Sequence, residues 1–176
     1  MGEYFCPVLL SDDSDQAVGH LRPSGAKIDE HGWIGHPFMA AIETILATPT
    51  RLAWVSDSND TGLIGPDVIA TTLLPEPDPA TTGEHRFLVN LDHKVYVDKD
   101  DVPINSVGDR IHPLPLLTVD QRIRTTRRTK DGGKVDRWFG DLSLIGSWSR
   151  QRITVADVAP EGFERIEFDL IENLAT

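Results

Sequence analysis

Three titratable side chains in the N-terminal half of the sequence could transfer protons. His31, Asp57 and Asp60 stand at the ends of neighbouring predicted elements, with His31 before a helix and both aspartates after a strand. Imidazole and carboxylate groups are common general acids and bases in enzymes. If those ends share a pocket, His31 and Asp57 could act as an acid–base pair, with Asp60 as a further candidate. No spacing motif in the chain requires such a pair.

Basic residues concentrate in one segment, residues 122–137, which we call the basic arm. It holds seven of the seventeen Lys and Arg residues and two acids, a local charge of +5, so the rest of the chain carries −16. The basic residues are Arg122, Arg124, Arg127, Arg128, Lys130, Lys134 and Arg137. Guanidinium groups offer planar donors that match phosphate oxygens. The arm is therefore a candidate site for an anionic ligand or a nucleic-acid backbone. The alternative is a charged edge hairpin that discourages aggregation or docks on the acidic body of another copy.

Metal-binding patterns in the sequence are incomplete. Residues 57–62 begin like a calcium loop, but Val68 stands where a bidentate Glu is needed. His31 and His36 lack both the HExxH spacing and a Cys pair for zinc. His36 can instead cap the helix that Pro37 begins. The sequence therefore predicts no metal site, and nothing in it indicates a cofactor.

Composition excludes several classes of protein. With 39% hydrophobic and 26% charged residues, the 176-residue chain is typical of a globular protein. A net charge of −11 argues against general binding of duplex nucleic acid, because that affinity depends on neutralising many phosphates. No phosphate-binding loop, dinucleotide fingerprint or nucleophile elbow has its full spacing. The single cysteine, the absence of a secretory signal and the absence of a roughly 18-residue apolar span predict a cytoplasmic protein without a membrane segment.

The elements that must position these side chains predict an α+β fold. Pro37 suits a first helical position, and apolar residues recur at helical spacing from there to Leu46. Alternating or compact apolar runs predict strands at 4–10, 51–55, 86–92, 94–98, 150–155 and 163–171. We therefore expect a mainly antiparallel β-sheet packed by one principal helix.

The chain length favours a single domain spanning residues 1–176. Prolines at every second position after Leu74 predict an exposed loop at 74–84. The Asp-Gly-Gly sequence at 131–133 predicts a turn between strand-like segments at 122–129 and 134–139. The basic arm is thus expected to be a protruding hairpin at 122–137.

Short segments along most of the chain form a recognisable pattern. They are MGEYFCPV at 1–8, EHGWIGHPF at 30–38, RLAWVSD at 51–57, FLVN at 87–90, HPLPLL at 112–117 and GSWSR at 146–150. The pattern resembles an uncharacterised family of small actinobacterial and phage proteins, and the resemblance implies a bacterial or phage origin and no mechanism. This chain differs from that pattern at 56–60 and carries the basic arm where relatives are glycine-rich. The resemblance thus implies that the arm tunes the ligand or partner choice of this member.

Two functions from different classes agree with the sequence. The favoured one is an acidic binding protein that uses the basic arm as a contact surface, in host–phage conflict, with a protein or a second copy as partner. The alternative is a small enzyme on a phosphorylated or nucleotide substrate, in which the arm holds phosphate and His31 and Asp57 transfer protons. We favour binding because no set of residues reaches the specificity of a catalytic motif.

Overall fold

A computed structural model describes residues 4–23, 27–56, 73–78, 80, 83–120 and 123–174. Three helices are present in these ranges: α1 (Ile28–His31), α2 (Pro37–Leu46) and α3 (Pro113–Thr118). The strands are β1 (Phe5–Leu10), β2 (Ala17–His20), β3 (Thr50–Ser56), β4 (Phe87–Asn90), β5 (Val95–Asp98), β6 (Thr126–Arg128), β7 (Lys134–Asp136), β8 (Trp138–Phe139), β9 (Arg152–Ala156), β10 (Glu164–Arg165) and β11 (Ile171–Glu172). Short 3-10 helices lie at Lys99–Asp101 and Leu142–Leu144.

Seven strands form one sheet in the order β10-β5-β4-β9-β3-β1-β2. Every neighbouring pair is antiparallel except β5 and β10, which run parallel at one edge. Two further pairs, β6 with β7 and β8 with β11, form separate two-stranded sheets. The predicted α+β fold with a mainly antiparallel sheet is confirmed.

The central strands bury both of their faces. In the β1–β3 register, Leu9 lies opposite Leu52, and both belong to the main core together with the apolar face of α2. Val8 and Ala53 lie opposite each other and belong to a smaller cluster. Successive side chains of a strand point to opposite faces. The continuous apolar composition of β1 and β3 follows from this two-sided burial.

Helix α2 begins where the sequence places it. Pro37 occupies the first helical position, and His36 Nδ1 accepts a hydrogen bond from the Phe38 backbone N–H at 3.1 Å. Phe38, Ile42 and Leu46 are buried on the face that meets the sheet. The predicted capping role of His36 is confirmed.

Replacing His36 with alanine is expected to lower the free energy of unfolding by about 1 kcal/mol, because the first turn of α2 loses its side-chain acceptor. The H36N variant should retain most of the stability, since asparagine is a strong N-cap residue. Urea denaturation of both variants measures the difference. Equal stability of H36A and wild type would show that the cap contributes nothing.

The segment 163–171 was predicted as one strand, and this prediction is wrong over most of its length. Only Glu164 and Arg165 join the sheet, through two parallel pairs with β5, and the chain then leaves it. Phe168 and Leu170 are buried in the main core outside any strand. Apolar residues at alternate positions thus reflect core packing here rather than sheet pairing.

The described part of the basic arm contains a hairpin. Strands β6 and β7 pair antiparallel, and the turn between them is closed by hydrogen bonds from Thr129 N–H to Gly133 C=O and from Gly132 N–H to Thr129 C=O. Gly132 has φ +85°, a backbone conformation that favours glycine. At the base of the hairpin the chain continues into β8, which pairs with β11. Arg122 lies outside the described residues.

Candidate functional site

A cleft of about 760 Å³ lies between the basic arm and the start of α1. We call it the basic cleft. It is lined by Phe5, Lys27, Ile28, Asp29, Arg124, Thr126, Arg127, Arg128, Lys134, Arg137 and Glu172. Six of these residues are basic and two are acidic, so the lining has a formal charge of +4 on a protein whose total charge is −11. Such a local field attracts anions and repels cations.

The hairpin register places two like charges side by side. Arg128 of β6 lies directly opposite Lys134 of β7, and both line the basic cleft. Like charges at directly opposed positions destabilise an antiparallel pair, and a two-stranded hairpin is only marginally stable by itself. An anion held between Arg128 and Lys134 would remove this repulsion.

Most of the positive charge around the basic cleft is not neutralised by the protein. Lys27 pairs with Glu30 at 3.5 Å, and Arg137 Nε donates to Glu172 Oε1 at 3.1 Å. Within the described ranges, the other four basic residues form no ion pair; they are Arg124, Arg127, Arg128 and Lys134. These four side chains are available to an external anion.

Contacts of Arg137 connect one wall of the basic cleft to the body of the protein. The Arg137 guanidinium lies 5.0 Å from the centroid of the Trp138 ring while it binds the Glu172 carboxylate. Glu172 is only 6% exposed, and burial raises the pKa of its carboxyl while the charge of Arg137 opposes that rise. The Arg137–Glu172 pair joins the end of β7 to β11. It therefore fixes the arm against the body of the protein.

Five of the seven basic residues proposed from the sequence line the basic cleft; they are Arg124, Arg127, Arg128, Lys134 and Arg137. Lys130 is exposed in the hairpin turn and is not part of the lining. Three further charged residues of the lining, Lys27, Asp29 and Glu172, were missed. They lie far from the arm in sequence, so no local pattern connects them with it.

His31, one of the proposed proton-transfer residues, does not line this cleft. His31 is 0% exposed, stacks on Trp54 at 5.8 Å between ring centroids, and meets the edge of Phe38 at 5.5 Å. Asp57 and Asp60 lie outside the described residues. The pairing of His31 with Asp57 therefore stays a prediction, and His31 itself belongs to an aromatic cluster in the core.

A second group of charged residues, which sequence reasoning missed, is buried beside α2. Glu43 is 0% exposed and its carboxylate contacts Lys99 Nζ, His112 Nε2 at 2.8 Å and the His85 backbone N–H at 2.7 Å. His112 also caps α3, because its Nδ1 accepts from the Leu114 N–H at 3.2 Å. An accepting Nδ1 places the proton of neutral His112 on Nε2, from which it is donated to Glu43. We call Glu43, Lys99 and His112 the buried triad.

The charge states of the buried triad follow from its surroundings. Burial by itself raises the pKa of the Glu43 carboxyl, but the hydrogen bond and charge of His112, the charge of Lys99 and the His85 N–H outweigh it and lower that pKa to about 2. Burial lowers the pKa of His112, and the Glu43 carboxylate only partly offsets this effect. Near neutral pH, Glu43 is thus a carboxylate beside a neutral His112, and the charge of His112 acts on Glu43 only once acid protonates the imidazole. The triad joins α2, the 3-10 helix after β5 and the start of α3, and none of its members lines the basic cleft.

The two His-Pro sequences were the available signal for this arrangement. His36-Pro37 and His112-Pro113 each begin a helix with the histidine as the capping residue. In the described ranges, no group of three or more His, Cys, Asp or Glu residues is placed to hold a metal ion. No helix in those ranges has the length and apolar character needed to cross a membrane.

Comparisons with protein-family models, with curated proteins and with solved structures find no match. The resemblance to the actinobacterial and phage family therefore stays a prediction.

Proposed function

We propose that the protein is a binding protein whose contact surface is the basic cleft, and that its ligand or partner is anionic there. The observation that carries this proposal is the set of four basic side chains that form no ion pair with any described residue, around a cavity of about 760 Å³. A cavity of this size is in the usual range of ligand sites, roughly 300–1,000 Å³.

The distribution of charge supports a single, local contact. Outside residues 122–137 the chain carries −16, so the net charge of the rest of the protein repels anions. Attraction to the cleft should weaken as salt rises, because exposed charges are screened over about 10 Å at 0.1 M ionic strength. A general binder of duplex nucleic acid would need a more extended basic surface.

The enzyme alternative has less support from the geometry. A general acid or base must come within hydrogen-bond reach of its substrate. His31 is wholly buried and does not line the basic cleft. A cytoplasmic location and a role in host–phage conflict remain proposals that rest on the sequence and on the family resemblance alone.

Retention on immobilised heparin, a sulfated polyanion, tests the proposed contact surface. Wild-type protein is expected to be retained at low ionic strength despite its net negative charge, and to elute as salt is raised. The triple variant Arg124→Glu/Arg127→Glu/Arg128→Glu should pass through unretained, because the lining of the cleft becomes net negative. The measured quantity is the salt concentration at elution.

A matched control carries the same change of net charge outside the cleft. Arg22, Lys94 and Lys130 are exposed and do not line it, so Arg22→Glu/Lys94→Glu/Lys130→Glu should keep most of the retention. Equal loss in both triple variants would mean that net charge alone governs retention. Wild-type protein that is not retained on heparin and binds no other polyanion would overturn the proposed function.

A further inference from the structure

The geometry points to a compact polyphosphate as the ligand of the basic cleft: a small molecule that carries a diphosphate or triphosphate group. This inference rests on the proposed function and narrows it. Other anionic occupants of the cleft are an acidic protein partner, a second copy of the chain or a nucleic-acid strand. Titration with small polyanions separates these occupants from a polyphosphate.

The positive charge of the cleft lining that the protein leaves unpaired indicates how many phosphate groups the ligand carries. The lining carries +4 overall, and four of its basic residues have no ion-pair partner in the described ranges. A single phosphate monoester carries about −1.5 to −2 at neutral pH. One such group would leave about half of the cleft's positive charge uncompensated. The charge of two or three linked phosphates matches the whole positive charge of the lining.

The arrangement of the basic groups suits linked phosphates. Arg128 and Lys134 are directly opposed across the hairpin, so their Cβ atoms are separated by roughly 5 Å. Lys27 lines the cleft from the α1 side, so the lining places cations on two sides of the cavity. Arginine binds phosphate oxygens with paired N–H donors, and lysine adds a point charge. Neighbouring phosphates of one chain can therefore be held by different cations at the same time.

The apolar part of the lining argues for a compact, highly charged ligand. In the part of the lining that the structure describes, only Phe5 and Ile28 are large apolar residues, and each is 6% exposed. Such a small apolar surface contributes little binding energy, since that energy scales with the area removed from water. Ligands with a large apolar body, such as lipids, would leave that body in solvent. Recognition must come from charge and hydrogen bonds.

Calorimetric titration at fixed ionic strength, without divalent metal ions, tests the inference with four probes: orthophosphate, pyrophosphate, tripolyphosphate and citrate. Affinity is expected to rise about tenfold with each added phosphate, because each new group gains charge-assisted hydrogen bonds. Citrate, which carries its charge on carboxylates, should bind at least about tenfold more weakly than tripolyphosphate, because its planar carboxylates do not reproduce the tetrahedral oxygen arrangement of linked phosphates.

The variant Arg128→Gln/Lys134→Gln should bind tripolyphosphate about 100-fold more weakly than wild type, because two charge-assisted contacts are lost. The matched control Arg22→Gln/Lys94→Gln removes two charges outside the lining and should stay within about twofold of wild type. If the double variant fails to fold by circular dichroism, the single variant Arg124→Gln should still show about a tenfold loss.

The outcomes separate this inference from the proposed function. Retention on heparin together with equal affinity for orthophosphate and tripolyphosphate would overturn the polyphosphate ligand and leave an anionic macromolecular partner. Citrate binding as tight as tripolyphosphate binding would replace it with a general polyanion site. If wild-type protein neither is retained on heparin nor binds tripolyphosphate, both proposals are overturned.

Discussion

Replacing Glu43 with alanine is expected to lower the free energy of unfolding by about 3–5 kcal/mol, the usual cost of breaking a buried ion pair by removing one partner. The ammonium of Lys99, 4% exposed, loses its carboxylate partner, and the Nε2–H of His112 and the backbone N–H of His85 lose their acceptor. Urea denaturation followed by circular dichroism measures the change. A loss of this size would leave a domain of ordinary stability close to unfolding.

A control and a rescue variant test the physical reason for this loss. Asp101 pairs with Arg165 at the surface, where both side chains are about half exposed, so Asp101→Ala should cost less than about 1 kcal/mol. The double variant Glu43→Leu/Lys99→Met removes both charges and should recover the part of the loss that comes from the unpaired ammonium, because buried ion pairs are often replaceable by apolar residues. The His112 Nε2–H and the His85 N–H still lack their acceptor in this variant. A double variant as unstable as Glu43→Ala would contradict the ion-pair explanation.

The second large effect is a loss of stability on acidification. The pKa of Glu43 falls from its ordinary value of 4.5 to about 2 in the folded protein. A depressed folded pKa gives stabilisation that is fully present above pH 4.5 and is lost as pH falls through about 2. The size of this contribution is about 3 kcal/mol. The lowered pKa of His112 acts in the same direction, because stability falls as pH drops below 6.5 and the unfolded histidine takes up a proton.

Urea denaturation at a series of pH values between about 7.5 and 3 measures this dependence. The Glu43→Gln variant should lack the part of the decline below about pH 4.5, and His112→Gln should be flatter between about pH 6.5 and 5. Other carboxylates contribute to the wild-type curve, so the differences between curves isolate these two groups. Parallel curves for wild type and Glu43→Gln would show that the Glu43 carboxyl is not perturbed by folding.

Local patterns in the sequence were sufficient to predict the helices and strands that have clear boundaries. The His36-Pro37 start of α2, the Trp54 strand and the hairpin of β4 and β5 all combine an apolar period with a turn or cap residue beside it. Helix α3 was missed because its six residues contain two prolines and are buried all round, so the segment shows no helical period. Strand β2 was missed because its four residues lack a run of strand-forming side chains.

The two charged clusters differ in how far the sequence could predict them. The basic arm is contiguous, so Arg124, Arg127 and Arg128 were recognisable as one surface. The opposite side of the cleft was not recognisable from the sequence, because Lys27 and Glu172 are far from the arm in sequence and lie beside it only in the folded protein. The buried triad brings together positions 43, 99 and 112 from three separate elements. No periodicity relates such residues. The local signs were an acid in the middle of an apolar helix and the His-Pro sequences that begin α2 and α3.

The proposal that the basic cleft is the anion-binding surface is tested most directly by NMR chemical-shift mapping with tripolyphosphate. We predict that the amide shifts concentrate at Phe5 and at residues 27–29, 124–128, 134–137 and 172, which contain the lining, and that they saturate with one common affinity. Arg22 and Lys94, exposed basic residues outside the lining, should not shift. Shifts that spread evenly over all exposed basic residues, or that concentrate away from the cleft, would contradict the proposal.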